Sequence, residues 1–169
     1  MRTNMNDYII PNATHIGHIH LKVSNLERAL KFYRDLLGFE LTTMYGDQAA
    51  FLSAGGYHHH IGLNVWNSKD APPAPAHGVG LYHTAIVYPT RRDLAVILDR
   101  LLQANYPLTG SADHGVSEAL YLNDPDGNGV ELYWDRPKEQ WPQHPDGSLE
   151  MYTRRLDLEG LLKELDTTK

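Results

Sequence analysis

The chain contains no cysteine and only three phenylalanines in 169 residues. Without cysteine there are no disulfides, no thiolate metal sites and no cysteine nucleophiles. No apolar run approaches the length needed to span a membrane, and Met1-Arg2-Thr3-Asn4-Met5-Asn6-Asp7 lacks the apolar core of a signal peptide. A cytoplasmic location is therefore expected. Clusters of positive charge are also scarce. Lys and Arg number 15 against 21 Asp and Glu, a net charge of -6, and the basic residues gather only as Arg91-Arg92 and Arg154-Arg155. That balance argues against a nucleic-acid surface and leaves small molecules as the expected partners. A hydrophobic content of 41% excludes a disordered chain, and 169 residues suit one domain. A domain of this size buries roughly 70% of the surface its unfolded form exposes, so it needs no covalent staple.

What is present is a repeat. Residues Ile16 to Val23 alternate, with Ile19, Leu21 and Val23 on one face of a strand and His18, His20 and Lys22 on the other. Ser24 with Glu27 forms a predicted capping box, and Leu26, Ala29, Leu30, Tyr33, Leu36 and Leu37 recur at helical spacing up to Gly38. Strands are predicted at about Glu40 to Tyr45, Ala49 to Ser53 and His58 to Trp66, which gives a βαβββ unit over about 16–66. The connector 68–80 contains Pro72, Pro73 and Pro75, which disfavour a sheet. The pattern then restarts over about 81–135. A strand Leu81 to Tyr88 precedes a helix capped at Thr90 and stopped at Asn105, and strands follow near Leu108, at about Glu118 to Asn123 and at Gly129 to Trp134. Asp124-Pro125-Asp126-Gly127-Asn128-Gly129 is a turn signal. In the tail 136–169, Leu158, Leu161, Leu162 and Leu165 form one stripe behind Asp157, which predicts a short amphipathic helix. The predicted class is α+β: two tandem βαβββ units in a single domain spanning 1–169.

His18 and His83 open the two units at equivalent places, and Glu131 lies on the closing strand of the second, on the face shared with Gly129 and Tyr133. A lone histidine on a strand is more often a surface residue than a ligand. Equivalent positions in paired units change that reading, because pairing would bring them together between the units. Two imidazoles and one carboxylate form a metal-site composition.

Three stretches carry a family resemblance: Gly17-His18-Ile19-His20-Leu21-Lys22-Val23 with Phe32-Tyr33-Arg34-Asp35-Leu36-Leu37-Gly38-Phe39, then Leu81-Tyr82-His83, then Tyr121-Leu122-Asn123-Asp124-Pro125-Asp126-Gly127-Asn128-Gly129-Val130-Glu131-Leu132. Together they resemble the vicinal oxygen chelate superfamily of glyoxalase I, bleomycin and fosfomycin resistance proteins and type I extradiol dioxygenases. Within it, Tyr57-His58-His59-His60-Ile61-Gly62-Leu63-Asn64-Val65-Trp66 is similar to catechol 2,3-dioxygenase-like proteins of bacilli. The resemblance implies a glyoxalase-like domain with a metal cleft between curved sheets, and His18, His83 and Glu131 as metal ligands. It implies Fe(II), with Mn(II) as the alternative, and a small aromatic substrate with O2.

The position of the fourth ligand of glyoxalase I falls on or near Gly62, which argues against that chemistry. The extradiol pattern implies three further site residues: Tyr121 ten residues before Glu131, His114 in His114-Gly115, and a histidine on the last strand of unit one. His59 is nominated for that last role and His60 stays open, because His59 shares strand parity with Ile61, Leu63 and Val65. His20 is expected in the pocket wall. The bland alternatives are a core-edge tyrosine at Tyr121 and a solvated His58-His59-His60 edge. Alternative functions are a glyoxalase-like lyase or isomerase and a non-catalytic binding protein of the bleomycin-resistance kind. Relatives of this type usually continue into a second domain, so a homodimer is possible, with the tail helix and the Trp141-Pro142 region as candidate contacts.

Overall fold

In a computed structural model, residues 8–75 and 77–166 are described; the stretch Met1–Asp7, read above for a signal core, lies outside them. Unit one folds as β1 (Ile19–Lys22), α1 (Leu26–Leu30, continuing as a π-helical segment over Lys31–Leu36), β2 (Glu40–Tyr45), β3 (Ala49–Ser53) and β4 (Ile61–Asn64). Unit two repeats the plan with β5 (Thr84–Val87), α2 (Arg91–Gln103), β6 (Gly110–Asp113), β7 (Ser117–Asn123) and β8 (Gly129–Asp135). Each unit forms a four-stranded mixed sheet, in the orders β1-β4-β3-β2 and β5-β8-β7-β6. The first strand pairs parallel with the last and the other pairings are antiparallel. The α+β class and the two βαβββ units are thus as the sequence predicts.

Local chemistry explains the elements and corrects one cap. Asn25, not Ser24, caps α1, its Oδ1 accepting from the Arg28 amide at 2.9 Å. Ser24 Oγ instead donates to Asp126 Oδ1, 2.6 Å away in unit two. Thr90 caps α2 as expected, accepting from the Asp93 amide, and Asn105 ends it with a φ of 51°.

Leu21, Leu52, Ile61 and Leu63 of the first sheet and Leu120, Leu122, Val130 and Leu132 of the second share one buried cluster with Ala29, Leu30, Leu94 and Leu98 of the helices. The opposite sheet faces carry the histidines and Glu131. Polar contacts join the units beside this core. Tyr33 Oη donates to the buried Asp124 Oδ2 at 3.0 Å, Arg28 Nη2 reaches Asp126 Oδ1 at 2.6 Å, and Arg100 donates to the carbonyls of Asp35 and Leu36.

The tail forms the short amphipathic helix that the sequence predicts. Helix α3 (Leu158–Leu162) packs on α2 of its own chain and buries Leu161 completely. Burying one such side chain is worth about 1.5–3 kcal/mol, so the stripe is already satisfied. Arg91 pins it by donating to Glu118 Oε2, Glu164 Oε1 and the Gly160 carbonyl. Trp141 is half-buried, with its indole N–H on the Arg136 carbonyl. No described helix is long and apolar enough to cross a membrane.

Candidate metal and catalytic site

Unit two assembles a connected half-site. His83 lies one residue before β5, and its Nε2 stands 2.9 Å from Glu131 Oε2 on β8. Their side chains are 31% and 13% exposed, so the pair is sheltered but reachable. Tyr121 on β7 is the register partner of Glu131, and its hydroxyl donates to Glu131 Oε1 at 3.0 Å. The same hydroxyl lies 2.7 Å from His114 Nε2. His114 Nδ1 is 2.9 Å from the Tyr152 carbonyl, which can only accept, so the proton sits on Nδ1.

This wiring has a chemical consequence. Tyr121 has one proton and two acceptors, Glu131 and a neutral His114. Both contacts are satisfied together when the row holds one further proton, on His114 Nε2 or on Glu131 Oε1, that is donated to the phenol oxygen. The row His114, Tyr121, Glu131, His83 is therefore a path along which one proton can shift. Burial, reinforced by the Glu131 charge, pushes the Tyr121 phenol up to about 12, so it stays protonated near neutral pH.

Two glycines make the arrangement possible. A β-carbon on Gly129 would come 2.2 Å from the Tyr82 carbonyl oxygen, so only glycine lets β8 pass beneath His83. A β-carbon on Gly115, at φ 80°, would strike Pro142 and Tyr152 at 2.8 Å. That turn lets His114 reach back to the Tyr121 hydroxyl on β7. Tyr152 is a site residue that sequence reading missed. Its segment pairs with the β6 edge through Asp113 and Arg154, a contact between distant stretches that leaves no local signal.

Unit one assembles a different half-site. The exposed His18 lies one residue before β1, and its ring centroid is 4.4 Å from that of His59. His59 precedes β4, so strand parity does not bind it, and it turns to His18. His60 turns the other way, with Nδ1 3.1 Å from Ser53 Oγ and accepting from the Ala54 amide. His58 and His59 touch through their Nδ1 atoms at 2.7 Å. Burial, then the neighbouring histidines His18, His58, His20 and His60, lower the His59 pKa, which favours a neutral ring able to accept a proton. His20 lies on the same face, packed against Phe51 and Trp66.

The register also locates the fourth-donor position. His20, two residues after His18, pairs with Gly62, as Ala85, two residues after His83, pairs with Glu131. Gly62 is thus the unit-one counterpart of Glu131, and the His20 ring fills its space: a β-carbon there would meet the ring at 2.9 Å.

The structure brings His83, Glu131, Tyr121 and His114 together, and separately His18 with His59. It does not bring the two sets together. Among the described residues, no group of three histidine or carboxylate side chains is placed to hold one metal ion. The 2.9 Å separation of His83 and Glu131 would suit two donors on one ion, since donors about 2.1 Å from a metal and at right angles lie about 3 Å apart. One chain therefore offers two of the three expected ligands in place, and the full set does not fit a metal within it.

A cavity of about 540 Å³ opens beside His83 and Tyr121, bordered by Gly80, Tyr82, Asn123 and Gly129. Its size is within the range of small-molecule sites.

Two tandem βαβββ units with a histidine before each edge strand and a glutamate on the closing one define a known class. Residues 15–132 match the model of the Glyoxalase/Bleomycin resistance protein/Dioxygenase superfamily, and the chain belongs to it. Among curated relatives it is 43% identical over 152 residues to catechol-2,3-dioxygenase of Bacillus subtilis, covering 89% of this chain and 52% of that protein. It is 33% identical to biphenyl-2,3-diol 1,2-dioxygenase 3 of Rhodococcus globerulus, covering 71% and 63%. The chain thus spans about half to under two thirds of these relatives. Among solved structures, a glyoxalase/dioxygenase from Nostoc punctiforme aligns with a TM-score of 0.63 at 17% identity, over 79% of this chain and 100% of that one. Lactoylglutathione lyase from Agrobacterium tumefaciens aligns at 0.57 and 22%, over 73% and 96%. At such identities the likeness is one of fold.

Proposed function

We propose that this protein is a metal-dependent extradiol dioxygenase that opens the ring of a catechol-type vicinal diol with O2. The observation that carries the reading is the row His114, Tyr121, Glu131, His83, in which a phenol kept protonated by burial links a histidine to the carboxylate of a two-donor half-site. The relatives named catechol-2,3-dioxygenase and biphenyl-2,3-diol 1,2-dioxygenase support the same class. Gly62 at the counterpart of Glu131 favours it over a lyase that needs a fourth protein donor.

The cofactor this reading requires is a divalent ion, Fe(II) or alternatively Mn(II), with His18, His83 and Glu131 as its protein ligands. Because one chain does not bring those three together, the protein's own contribution is described through the remaining side chains. A diol must lose protons to bind a cation through both oxygens, and the neutral His59 ring is a suitable acceptor. Tyr121 offers a hydrogen-bond donor, and His114 offers a second proton position behind it. The overall reaction balances without another reductant: a ring carbon–carbon bond beside the diol breaks, and both oxygen atoms enter the product.

The test is to load the protein anaerobically with Fe(II) and follow oxygen uptake and the yellow ring-opened product with catechol and substituted catechols. The expected result is coupled uptake and product, lost in His83→Ala. Metal retained at one ion per chain with no uptake would contradict ring cleavage and favour a glyoxalase-like lyase or isomerase. Unchanged ligand binding in a metal-free Glu131→Gln protein, without turnover in the wild type, would favour a sequestering protein.

A further inference from the structure

We infer that Arg136 is a positioning residue: it fixes the turn that carries His114 and so keeps the His114 ring on Tyr121. The inference rests on the reading of the row His114, Tyr121, Glu131, His83 as reaction machinery. Arg136 acts on that row from outside it, through Asp113 and Gly115.

His114 needs such help because the sheet does not aim it. Strand β6 ends at Asp113 and β7 begins at Ser117, which leaves His114, Gly115 and Val116 as a hairpin loop. Within a ladder, alternation of side chains sets the direction of each residue; in a loop it does not. The pair flanking the loop is also unfavourable by itself. Asp113 stands opposite Glu118 in cross-strand register, and like charges directly opposite are destabilising. Glu118 is buried besides, so a cation has to stand with the pair.

Arg136, the first residue after β8, supplies that cation with a geometry that does more than neutralise. Its Nη1 donates to Asp113 Oδ1 at 3.0 Å and its Nη2 to Asp113 Oδ2 at 3.1 Å, a two-oxygen fork that sets direction as well as distance. Nη2 also reaches Glu118 Oε1 at 2.7 Å, and Nη1 lies 3.4 Å from the Gly115 carbonyl inside the loop. The backbone adds to the grip. The Arg136 amide donates to the Val116 carbonyl at 2.8 Å, and Asp113 Oδ1 accepts from the Gly115 amide at 2.8 Å. Both flanks and the middle of the loop are therefore held by one residue. That residue continues the strand carrying Glu131, so both ends of the row are fixed to the same stretch of backbone.

The tail closes the other side of the loop. Asp113 and Arg154 exchange backbone hydrogen bonds of 2.9 Å, and the Tyr152 amide donates to the His114 carbonyl at 3.3 Å. The Tyr152 carbonyl and Thr153 Oγ1 face His114 Nδ1 at 2.9 and 3.3 Å. Tail and guanidinium thus hold Asp113 by its backbone and by its side chain. The ring is left with one orientation, Nδ1 to the tail and Nε2 to Tyr121. A buried ion pair adds little stability over a neutral pair of similar shape, whereas a fork that sets a direction serves a side chain that must stand in register with a reaction.

The experiment reads the His114 ring directly, by two-bond proton–nitrogen NMR correlation at neutral pH in the full-length chain with isotope-labelled histidine and no paramagnetic ion. His114→Gln identifies the signal. The wild type should carry a proton fixed on Nδ1, and Arg136→Met should instead show it averaged over both ring nitrogens. Loaded with Fe(II), Arg136→Met should lose about 100-fold in kcat, the cost of a misplacement of about 1 Å, while KM and metal per chain stay within about threefold of wild type. Asp113→Asn leaves Glu118 paired with both arginines and should show the same changes at about a tenfold loss in kcat; it carries the test alone if Arg136→Met does not fold. Arg136→Lys can neutralise Glu118 but cannot fork Asp113, so it should recover the urea midpoint lost in Arg136→Met without recovering kcat. A proton still fixed on Nδ1 with wild-type kcat in Arg136→Met or Asp113→Asn, or full kcat in Arg136→Lys, would reduce Arg136 to a counter-ion and overturn the positioning role. The expected change in the His114 signal, beside a wild type that consumes no oxygen, would keep the positioning of His114 and overturn ring cleavage.

Discussion

Unit two holds its functional side chains in a hydrogen-bonded row, whereas unit one, among the described residues, holds His18 by ring contact with His59. The buried polar residues divide in the same way. Glu118 and Asp124, the buried carboxylates, lie in unit two beside the neutral Ser117, while Ser53 and Asn64 of unit one are both neutral. One sheet plan thus supports a pre-set half and an adaptable half. A carboxylate needs fixed donors once removed from water, so the unit that carries Glu131 must be stiff around it. An imidazole tolerates an exposed, lightly held position and can wait for its partners.

The sharpest way to probe this contrast is to cut the wired half. Tyr121→Phe removes the hydroxyl that links His114 to Glu131, and should lower kcat by about 100- to 1,000-fold with little change in metal content. His59→Gln should also lower kcat but leave the pH range for metal binding unchanged, since no hydrogen bond links it to Glu131. Steady-state oxygen uptake beside metal analysis checks both.

Glu118→Ala tests whether buried charge stiffens unit two. It strips Arg91 and Arg136 of a shared carboxylate, 2.8 and 2.7 Å away, and should cost about 3 kcal/mol in urea unfolding. The tail held by Arg91 should then become the first region to lose hydrogen-exchange protection.

The glycines sharpen the comparison further. Gly129→Ala sets a methyl against the Tyr82 backbone and should cost about 3 kcal/mol. Gly62→Ala meets the His20 ring first, which can rotate, and should cost about 1 kcal/mol. Equal losses would show that the two halves are equally rigid.

The smallest effect concerns the seam between the units. Burial, then the Asp124 charge, raises the Tyr33 phenol well above its ordinary value. Above pH of about 10 the unfolded chain sheds this proton while the native state keeps it. The unfolded state then binds fewer protons, so stability falls as pH rises. Tyr33→Phe should cost about 1 kcal/mol at neutral pH and flatten that alkaline loss, as measured by urea unfolding across the alkaline range.

Much of this was legible from residue patterns. Alternation at Ile19 to Val23, the Thr90 cap and the Asp124 to Gly129 turn each encode local structure, and the repeat of His18 and His83 revealed two units. Three features were not legible. The cap moved to Asn25 because Ser24 serves a tertiary bond to Asp126, 102 residues away. His59 escaped the parity argument because β4 begins only at Ile61. The separation of His18 from His83 depends on how the two units pack into one core, and periodicity marks a packing face without naming its partner.

The most direct test is Mn(II) affinity by calorimetry for the wild type, Glu131→Gln and His18→Ala. The account predicts that both substitutions weaken binding by more than about 100-fold, since both residues are ligands of one centre despite lying in separate half-sites. Wild-type affinity in His18→Ala, beside a collapse in Glu131→Gln, would contradict it and confine the metal to unit two.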